Sequence, residues 1–258
     1  VIQVRKRFGQ HFLHDPGVRE RIVAAIDARP GQHIVEIGPG PGALTGGLLR
    51  AAGSIDAIEI DRDLAATLRE RHGPALRLHE GDALAFDFHA LASARGGRLR
   101  VVGNLPYNIS TPLLFHLLES VDDVIDLHVM LQKEVVERMA AAPGDDAYGR
   151  LTVMLAPRLA ITHLFDVGPG AFQPPPRVWS AVARLDVLDE PRFEVPPAYA
   201  AVVAAAFNQR RKTLRNSLRH LLEPADFAAC GVDPGARPEV LAPAHFAALA
   251  ALAHAVTL

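Results

Sequence analysis

Val35-Glu36-Ile37-Gly38-Pro39-Gly40-Pro41-Gly42 is the stretch that decides the fold. An apolar run beginning at Ile34 drives into a glycine-rich turn, and Ala43 to Ala52 continues as a helix, giving the first βα unit of a doubly wound sheet. Alternate glycines let the backbone come close to a ligand. Such a glycine-rich turn does not by itself identify the ligand. The next apolar run, Ser54 to Ile60, places Glu59 twenty-one residues after Gly38. An acid at that strand end can hold the two hydroxyls of an adenosine ribose. A third run, Leu76 to Glu80, ends in Gly81-Asp82-Ala83, where a carboxylate can accept from an adenine amino group. Three strand ends therefore aim polar groups at one crevice, the place where open α/β sheets bind ligands.

A fourth run, Leu99 to Val102, stops on Gly103-Asn104-Leu105-Pro106-Tyr107. The residue before a proline is pushed out of the helical region, so the Leu105 carbonyl should point outward beside the Asn104 amide oxygen. Two adjacent acceptors can hold both hydrogens of an exocyclic amine, draw its nitrogen toward tetrahedral geometry and expose its lone pair. Tyr107 adds a face on which the ring bearing that amine can stack, worth about 1–3 kcal/mol per base. Alone, the same five residues also read as an ordinary turn, because Asn and Pro are common turn formers.

The order EIGPGPGALT, EID, GDA, NLPY resembles the class I S-adenosylmethionine-dependent methyltransferases, and the Asn-Leu-Pro-Tyr variant resembles the rRNA adenine N6-dimethyltransferases. Gly9-Gln10-His11-Phe12-Leu13, Phe172-Gln173-Pro174-Pro175-Pro176-Arg177-Val178 and the segment from Phe207 to Asn216 look like that family's other signatures, so the resemblance spans nearly the whole chain. It implies a Rossmann-like, mostly parallel seven-stranded sheet, with a small all-α domain at the C-terminal end. It also implies methyl transfer from S-adenosylmethionine, without a metal, to two adjacent adenosines near the 3′ end of small-subunit rRNA within a pre-ribosomal particle. By the same resemblance His11, Leu13, Gly38, Glu59, Asp82 and Asn104 touch the cofactor. Asn104, Leu105, Pro106 and Tyr107 form the catalytic loop, and Phe172 supplies a second wall for a flipped base. His11 stands where many relatives carry Asn. Phe172 has a competing reading as a plug at the sheet edge.

Composition sets the remaining bounds. The chain has 258 residues, 49% of them hydrophobic, which suffices for one full α/β domain plus a small appendage. No apolar run approaches the ~20 residues of a membrane helix, and the basic start is unlike a signal peptide, so a cytoplasmic protein is expected. One cysteine, Cys230, excludes an internal disulfide and a Cys-rich zinc site, and the twelve histidines show no metal-ligand spacing. The opening Val1 leads us to expect that an N-terminal segment precedes it. A net charge of −2 argues mildly against a nucleic-acid partner, but its distribution does not. Basic residues gather at Arg5, Lys6, Arg7, Arg19 and Arg21, and again at Arg210, Arg211, Lys212 and Arg215, the latter being the expected RNA contacts.

Further helices are expected at Asp15-Pro16 to about Ala28, near Leu64, from Thr111-Pro112, and from Gln132 to Ala140. Tyr148 to Ala156 should be helical too, and Ala160–Val167 with Val178–Val187 reads as the closing antiparallel pair. After Asp189-Glu190-Pro191 the composition turns to alanine-rich helices. Residues 1–189 are therefore read as the catalytic domain with its N-terminal arm, and 190–258 as a helical RNA-binding domain of a monomeric protein. Rival readings are a resistance-type large-subunit rRNA methylase, a DNA amino-methyltransferase, and a ribosome-assembly factor whose catalysis is incidental. A nicotinamide dehydrogenase leaves Asn-Leu-Pro-Tyr without a role.

Overall fold

The computed structural model describes residues 11–209 and 211–254. Arg5, Lys6, Arg7, Gly9, Gln10 and Arg210, all used above, lie outside the described residues. The elements run β1 (Phe12–Leu13), α1 (Pro16–Ile26), β2 (His33–Ile37), α2 (Thr45–Ala52), β3 (Ile55–Glu59), α3 (Arg62–His72) and β4 (Leu76–Glu80). Next come α4 (Phe88–Arg95), β5 (Leu99–Asn104), α5 (Ser110–Glu119), β6 (Val124–Gln132), α6 (Lys133–Ala140), α7 (Arg150–Leu155), β7 (Leu159–Val167), β8 (Phe172–Gln173) and β9 (Ser180–Val187). Four helices follow, α8 (Tyr199–Phe207), α9 (Leu214–Leu218), α10 (Pro224–Ala229) and α11 (Pro243–Leu252).

Seven strands form one sheet in the order β4-β3-β2-β5-β6-β9-β7. Strands β4 to β6 in that order are parallel, and β9 runs antiparallel to β6. The central strands are mainly apolar, without a polar–apolar alternation, because both faces are covered: every residue of β3 is buried, as are Ile34 to Ile37 of β2. Burying each such Ile or Val side chain stabilises the fold by about 1.5–3 kcal/mol. At the sheet centre Gly103 lies opposite Ile37, and a Cβ there would stand 2.7 Å from the Ile37 carbonyl oxygen. Only glycine lets β5 approach β2 this closely just before Asn104.

Most polar residues inside this sheet are matched, the exception among the described residues being His128 on β6, neither of whose ring nitrogens has a hydrogen-bond partner. Arg100 on β5 forms a two-pronged ion pair with Asp126 on β6, and its remaining N–H groups reach the Gln32 side chain and the Ile26 carbonyl. Asp56 on β3 accepts from Arg77, Arg95 and His79. Burial by itself would raise the Asp56 pKa, but these three partners more than offset it and hold the carboxyl well below the usual carboxylate range.

Helix α1 starts as its sequence demands, with the Asp15 carboxylate accepting from the Val18 amide at 2.9 Å and Pro16 in the first turn. It ends at Ile26, two residues earlier than expected, because Asp27 turns left-handed with φ 48°. Helix α5 departs from the expected hydroxyl cap at Thr111. It begins at Ser110 behind Ile109 with no side-chain cap, and the Ser110 hydroxyl instead donates back to the Pro106 carbonyl. Helix α4 was not apparent in the sequence reading.

The contacts divide the chain into two compact units, Val1–Val136 with Ile161–Val187 and Glu137–Ala160 with Leu188–Leu258. The second unit has its own core, built on Val202, Val203, Leu214, Phe227 and Phe246. Tyr148 and Val153 belong to that core, the Tyr148 hydroxyl donating to the Leu241 carbonyl and the Tyr199 hydroxyl to the Val153 carbonyl. These contacts draw residues 137–160 into the second unit, whereas composition alone had set the break at Asp189.

Candidate active site

The C-terminal ends of β2, β3, β4 and β5 meet at a cleft enclosing about 910 Å3 including its open mouth. Gly38, Glu59, Asp82, His11 and the whole Asn104–Tyr107 loop line it, over an apolar floor of Ile37 and Ile58. Gly38 has φ 64° and donates its N–H to the Ile58 carbonyl, so the turn after β2 folds back over the β3 end. The Glu59 carboxylate is 4% exposed and accepts from the Gly40 amide at 3.0 Å and the Asp61 amide at 2.9 Å. Each oxygen thus takes one amide and keeps acceptor capacity for a hydroxyl. Burial raises its pKa, opposed by those two amides. Asp82, exposed at the β4 end, caps the next turn by accepting from the Leu84 amide.

Asn104 is fixed by the arm. Its Nδ2 donates to the His11 carbonyl at 3.1 Å, which commits the donor end of the amide and leaves Oδ1 as an acceptor. The Leu105 amide donates to the Met130 carbonyl, holding the loop on β6. Tyr107 stacks on the His11 ring with centroids 5.6 Å apart and planes at 27°, and its hydroxyl lies 2.6 Å from the Ser180 hydroxyl. Burial raises the Tyr107 pKa, with Ser180 opposing the rise, so the phenol stays neutral at physiological pH. One face of Tyr107 is therefore taken by His11, and His11 is itself pinned by its Nδ1 at 2.8 Å from the Pro174 carbonyl.

Two expected site residues stand apart from this cleft. Leu13 is buried and lines a smaller adjoining pocket with Phe12, Glu36 and Gly40. Phe172 is 1% exposed, pairs with Leu13 across the β1–β8 ribbon and packs in the core with Ile22, Val102 and Val182. A stacking wall needs an open π-face, so the expectation of Phe172 as the second wall gives way to the sheet-edge plug. Arg211, Lys212 and Arg215 are exposed on the second unit, at and before α9.

Two functional neighbours were missed. Ser180, fully buried, holds the Tyr107 hydroxyl, and follows directly on the quoted Phe172–Val178 signature after Trp179. Glu36 lies under the glycine turn, 2% exposed, where it accepts from the Thr45 hydroxyl at 2.7 Å. Burial pushes its carboxyl up to about 7, the Thr45 bond restraining the rise and the Glu59 charge adding to it. A lone acid inside the run His33-Ile34-Val35-Glu36-Ile37 was the available signal.

Sheet order, glycine turn and strand-end acids together define a class I S-adenosylmethionine-dependent methyltransferase, and the residues lining the cleft fit that cofactor. The sequence model of the family described as ribosomal RNA adenine dimethylase matches residues 1–254, and the chain belongs to that family. Ribosomal RNA small subunit methyltransferase A of Pseudomonas aeruginosa is 56% identical over 252 residues, covering 96% of this chain and 94% of that protein. The protein of the same name from Methylococcus capsulatus is 54% identical, over 95% and 96%. Among solved structures, a dimethyladenosine transferase from Plasmodium falciparum superposes with a TM-score of 0.77 at 25% identity, covering 94% of this chain and 99% of that one. The 23S rRNA methyltransferase ErmE gives 0.70 at 27% identity, over 93% and 98%. Among the described residues no helix is long and apolar enough to cross a membrane, and no group of three His, Cys, Asp or Glu residues could hold a metal ion.

Proposed function

We propose that this enzyme dimethylates the N6 amine of two adjacent adenosines near the 3′ end of small-subunit rRNA, acting as a cytoplasmic monomer on a pre-ribosomal particle. The observation that carries the reading is the Asn104–Tyr107 loop opening into the same cleft as Gly38 and Glu59. Gly38 holds the amino-acid end of S-adenosylmethionine, Glu59 the ribose hydroxyls and Asp82 the adenine amine. When bound, S-adenosylmethionine supplies an electrophilic methyl group on a sulfonium. Asn104 Oδ1 and the Leu105 carbonyl accept the two hydrogens of the target amine and aim its lone pair at that methyl. Tyr107 offers its ring face not covered by His11 to the flipped base, while the Ser180 hydroxyl fixes the ring's tilt. Attack would form the N–CH3 bond as the S–CH3 bond breaks, with the neutral thioether as leaving group and the amine left cationic; its proton is then lost to water, so positioning supplies most of the rate and no strong base is called for. The monomethylated amine then re-enters with its one remaining hydrogen bonded. In the second unit, residues 190–258 contribute Arg210, Arg211, Lys212 and Arg215 to the RNA backbone.

The test is methyl transfer from labelled S-adenosylmethionine to naked and assembled small-subunit and large-subunit RNA, with the product nucleoside read by mass spectrometry. N6,N6-dimethyladenosine in small-subunit RNA is expected. Transfer confined to large-subunit RNA would replace this reading with the activity named for ErmE.

A further inference from the structure

A second concavity of the first unit lies between α1, α2 and α3 and encloses about 1070 Å3 including its open mouth. Arg19, Arg50, Arg71 and His72 line it against a single carboxylate, Glu20. Surface arginines of a folded domain are ordinarily met by acids or carbonyls. Of these four, among the described residues, only Arg71 makes a hydrogen bond, its Nη1 donating to the Pro41 carbonyl at 2.9 Å. Arg19 Nε and His72 Nε2 are both shielded from water without a hydrogen-bond partner. These two shielded atoms lie behind the cavity wall, and what lines the cavity itself is the cationic groups of Arg19 and Arg50, which make no ion pair or hydrogen bond among the described residues.

The floor is cleared for an acceptor. A Cβ on Gly46 would stand 3.7 Å from Arg50 Nη1, and one on Gly42 would stand 3.7 Å from Arg71 Nη1. Gly46 puts no side chain between Arg50 and the cavity, while Gly42 is required by its φ of 88° and by Leu68 Cδ2, which a Cβ would meet at 2.9 Å. Guanidinium forks match the spacing of phosphate oxygens and bind them by paired hydrogen bonds. We propose that this concavity is a binding site for a phosphate group, with the guanidinium groups of Arg19, Arg50 and Arg71 as its donors and His72 in its wall as a reporter of occupancy. Gly42 and Ala43 of its wall continue the turn whose Gly38 and Gly40 line the active-site cleft, so both sites flank one segment of backbone. The phosphate can come from an RNA backbone, a source that rests on the RNA reading above, or from a free phosphate compound, which does not.

The experiment follows the His72 ring nitrogens by NMR in the full chain, titrated with inorganic phosphate and separately with a small-subunit RNA fragment. The comparison is a variant carrying Arg19→Gln and Arg50→Gln, with S-adenosylmethionine affinity as the check on its fold. Saturable movement of the His72 signal in the wild type, lost in the variant, is expected. If RNA moves the signal and the salt slope of RNA binding falls by about 1 in the variant, the ligand is a backbone phosphate. If only inorganic phosphate moves it and the slope is unchanged, the ligand is a free phosphate compound. If neither moves His72, the inference is wrong, whatever the slope does. Failure of the RNA reading would look different: no methyl transfer to any RNA, with the response to inorganic phosphate intact.

Discussion

Replacing Glu36 with Gln should stabilise the protein in alkali and hardly at all in acid. The folded carboxyl titrates at about 7 against 4.5 unperturbed, with burial as the main cause. Because the folded value is the higher one, stability is full below the unfolded pKa and is lost as pH rises through the folded one. At about 1.4 kcal/mol per pH unit, that difference costs the wild type about 3 kcal/mol near pH 8 and under about 1 kcal/mol near pH 5. Glutamine keeps an oxygen for the Thr45 hydroxyl and has nothing to ionise. Its NH2 group, if unmatched, adds a pH-independent cost of about 1–3 kcal/mol, so the change between the two pH values carries the test. Urea unfolding of both proteins without cofactor, near pH 5 and near pH 8, should show the variant gaining about 2 kcal/mol on the wild type across that interval. A difference that stays constant with pH would refute the reasoning and place the Glu36 titration near that of an exposed acid.

Asp56→Asn should cost about 3–5 kcal/mol at neutral pH, because it strands Arg77, Arg95 and His79. Since the folded Asp56 pKa is lowered, that stability is present above the ordinary carboxylate pKa and is lost as pH falls through the folded value, so wild type and variant should converge in acid melts. Phe172→Ala should lower stability by about 3–5 kcal/mol in denaturant unfolding, as removal of a core side chain does; a variant of unchanged stability would return Phe172 to the cleft. Asn104→Ala should cut single-turnover methylation by about tenfold or more even with S-adenosylmethionine and RNA both saturating, matching a lost acceptor worth about 1.5–3 kcal/mol. Charge reversal at Arg211 and Lys212 should weaken RNA binding and flatten its salt dependence by about 1 per lost phosphate contact, and an unchanged slope would make that cluster a solvated surface.

Most of the sheet and the cleft could be read from the sequence because each rests on short-range pattern. Buried parallel strands appear as unbroken apolar runs, and Gly38, Glu59, Asp82 and Asn104 sit at fixed offsets from strand ends. Helix α4 escaped because eight residues, Phe88 to Arg95, carry only two large apolar side chains. Its cues were the caps, Asp87 starting it by accepting from the Ala90 amide and Gly96 ending it by turning left-handed. Ser180 and Glu36 escaped for another reason. A buried Ser or Glu shows its partner only when Tyr107 or Thr45 has been brought to it. Phe172 looks alike in sequence whether it points in or out, and the deciding contact comes from Leu13 at the far end of the domain. Residues 137–160 likewise join a core whose other half, Tyr199 onward, is written later in the chain.

The ribbon of Phe12 and Leu13 with Gln173 and Phe172 has a consequence in time. Chains are made from the N-terminus at about 5–20 residues per second, so the arm emerges roughly 8–32 s before the strand it must pair with. Through that interval the Leu13 side chain has no Phe172 to pack against, and His11 has no Pro174 carbonyl to hold its ring. The arm bordering the cleft is fastened only after the last loop of the sheet has been synthesised. A chain arrested before Phe172 can align β2 to β6, yet it lacks the fastening that presents the His11 carbonyl to Asn104. Cofactor binding by ribosome-bound chains of graded length would therefore switch on late and over a narrow range of lengths, rather than growing with each strand added.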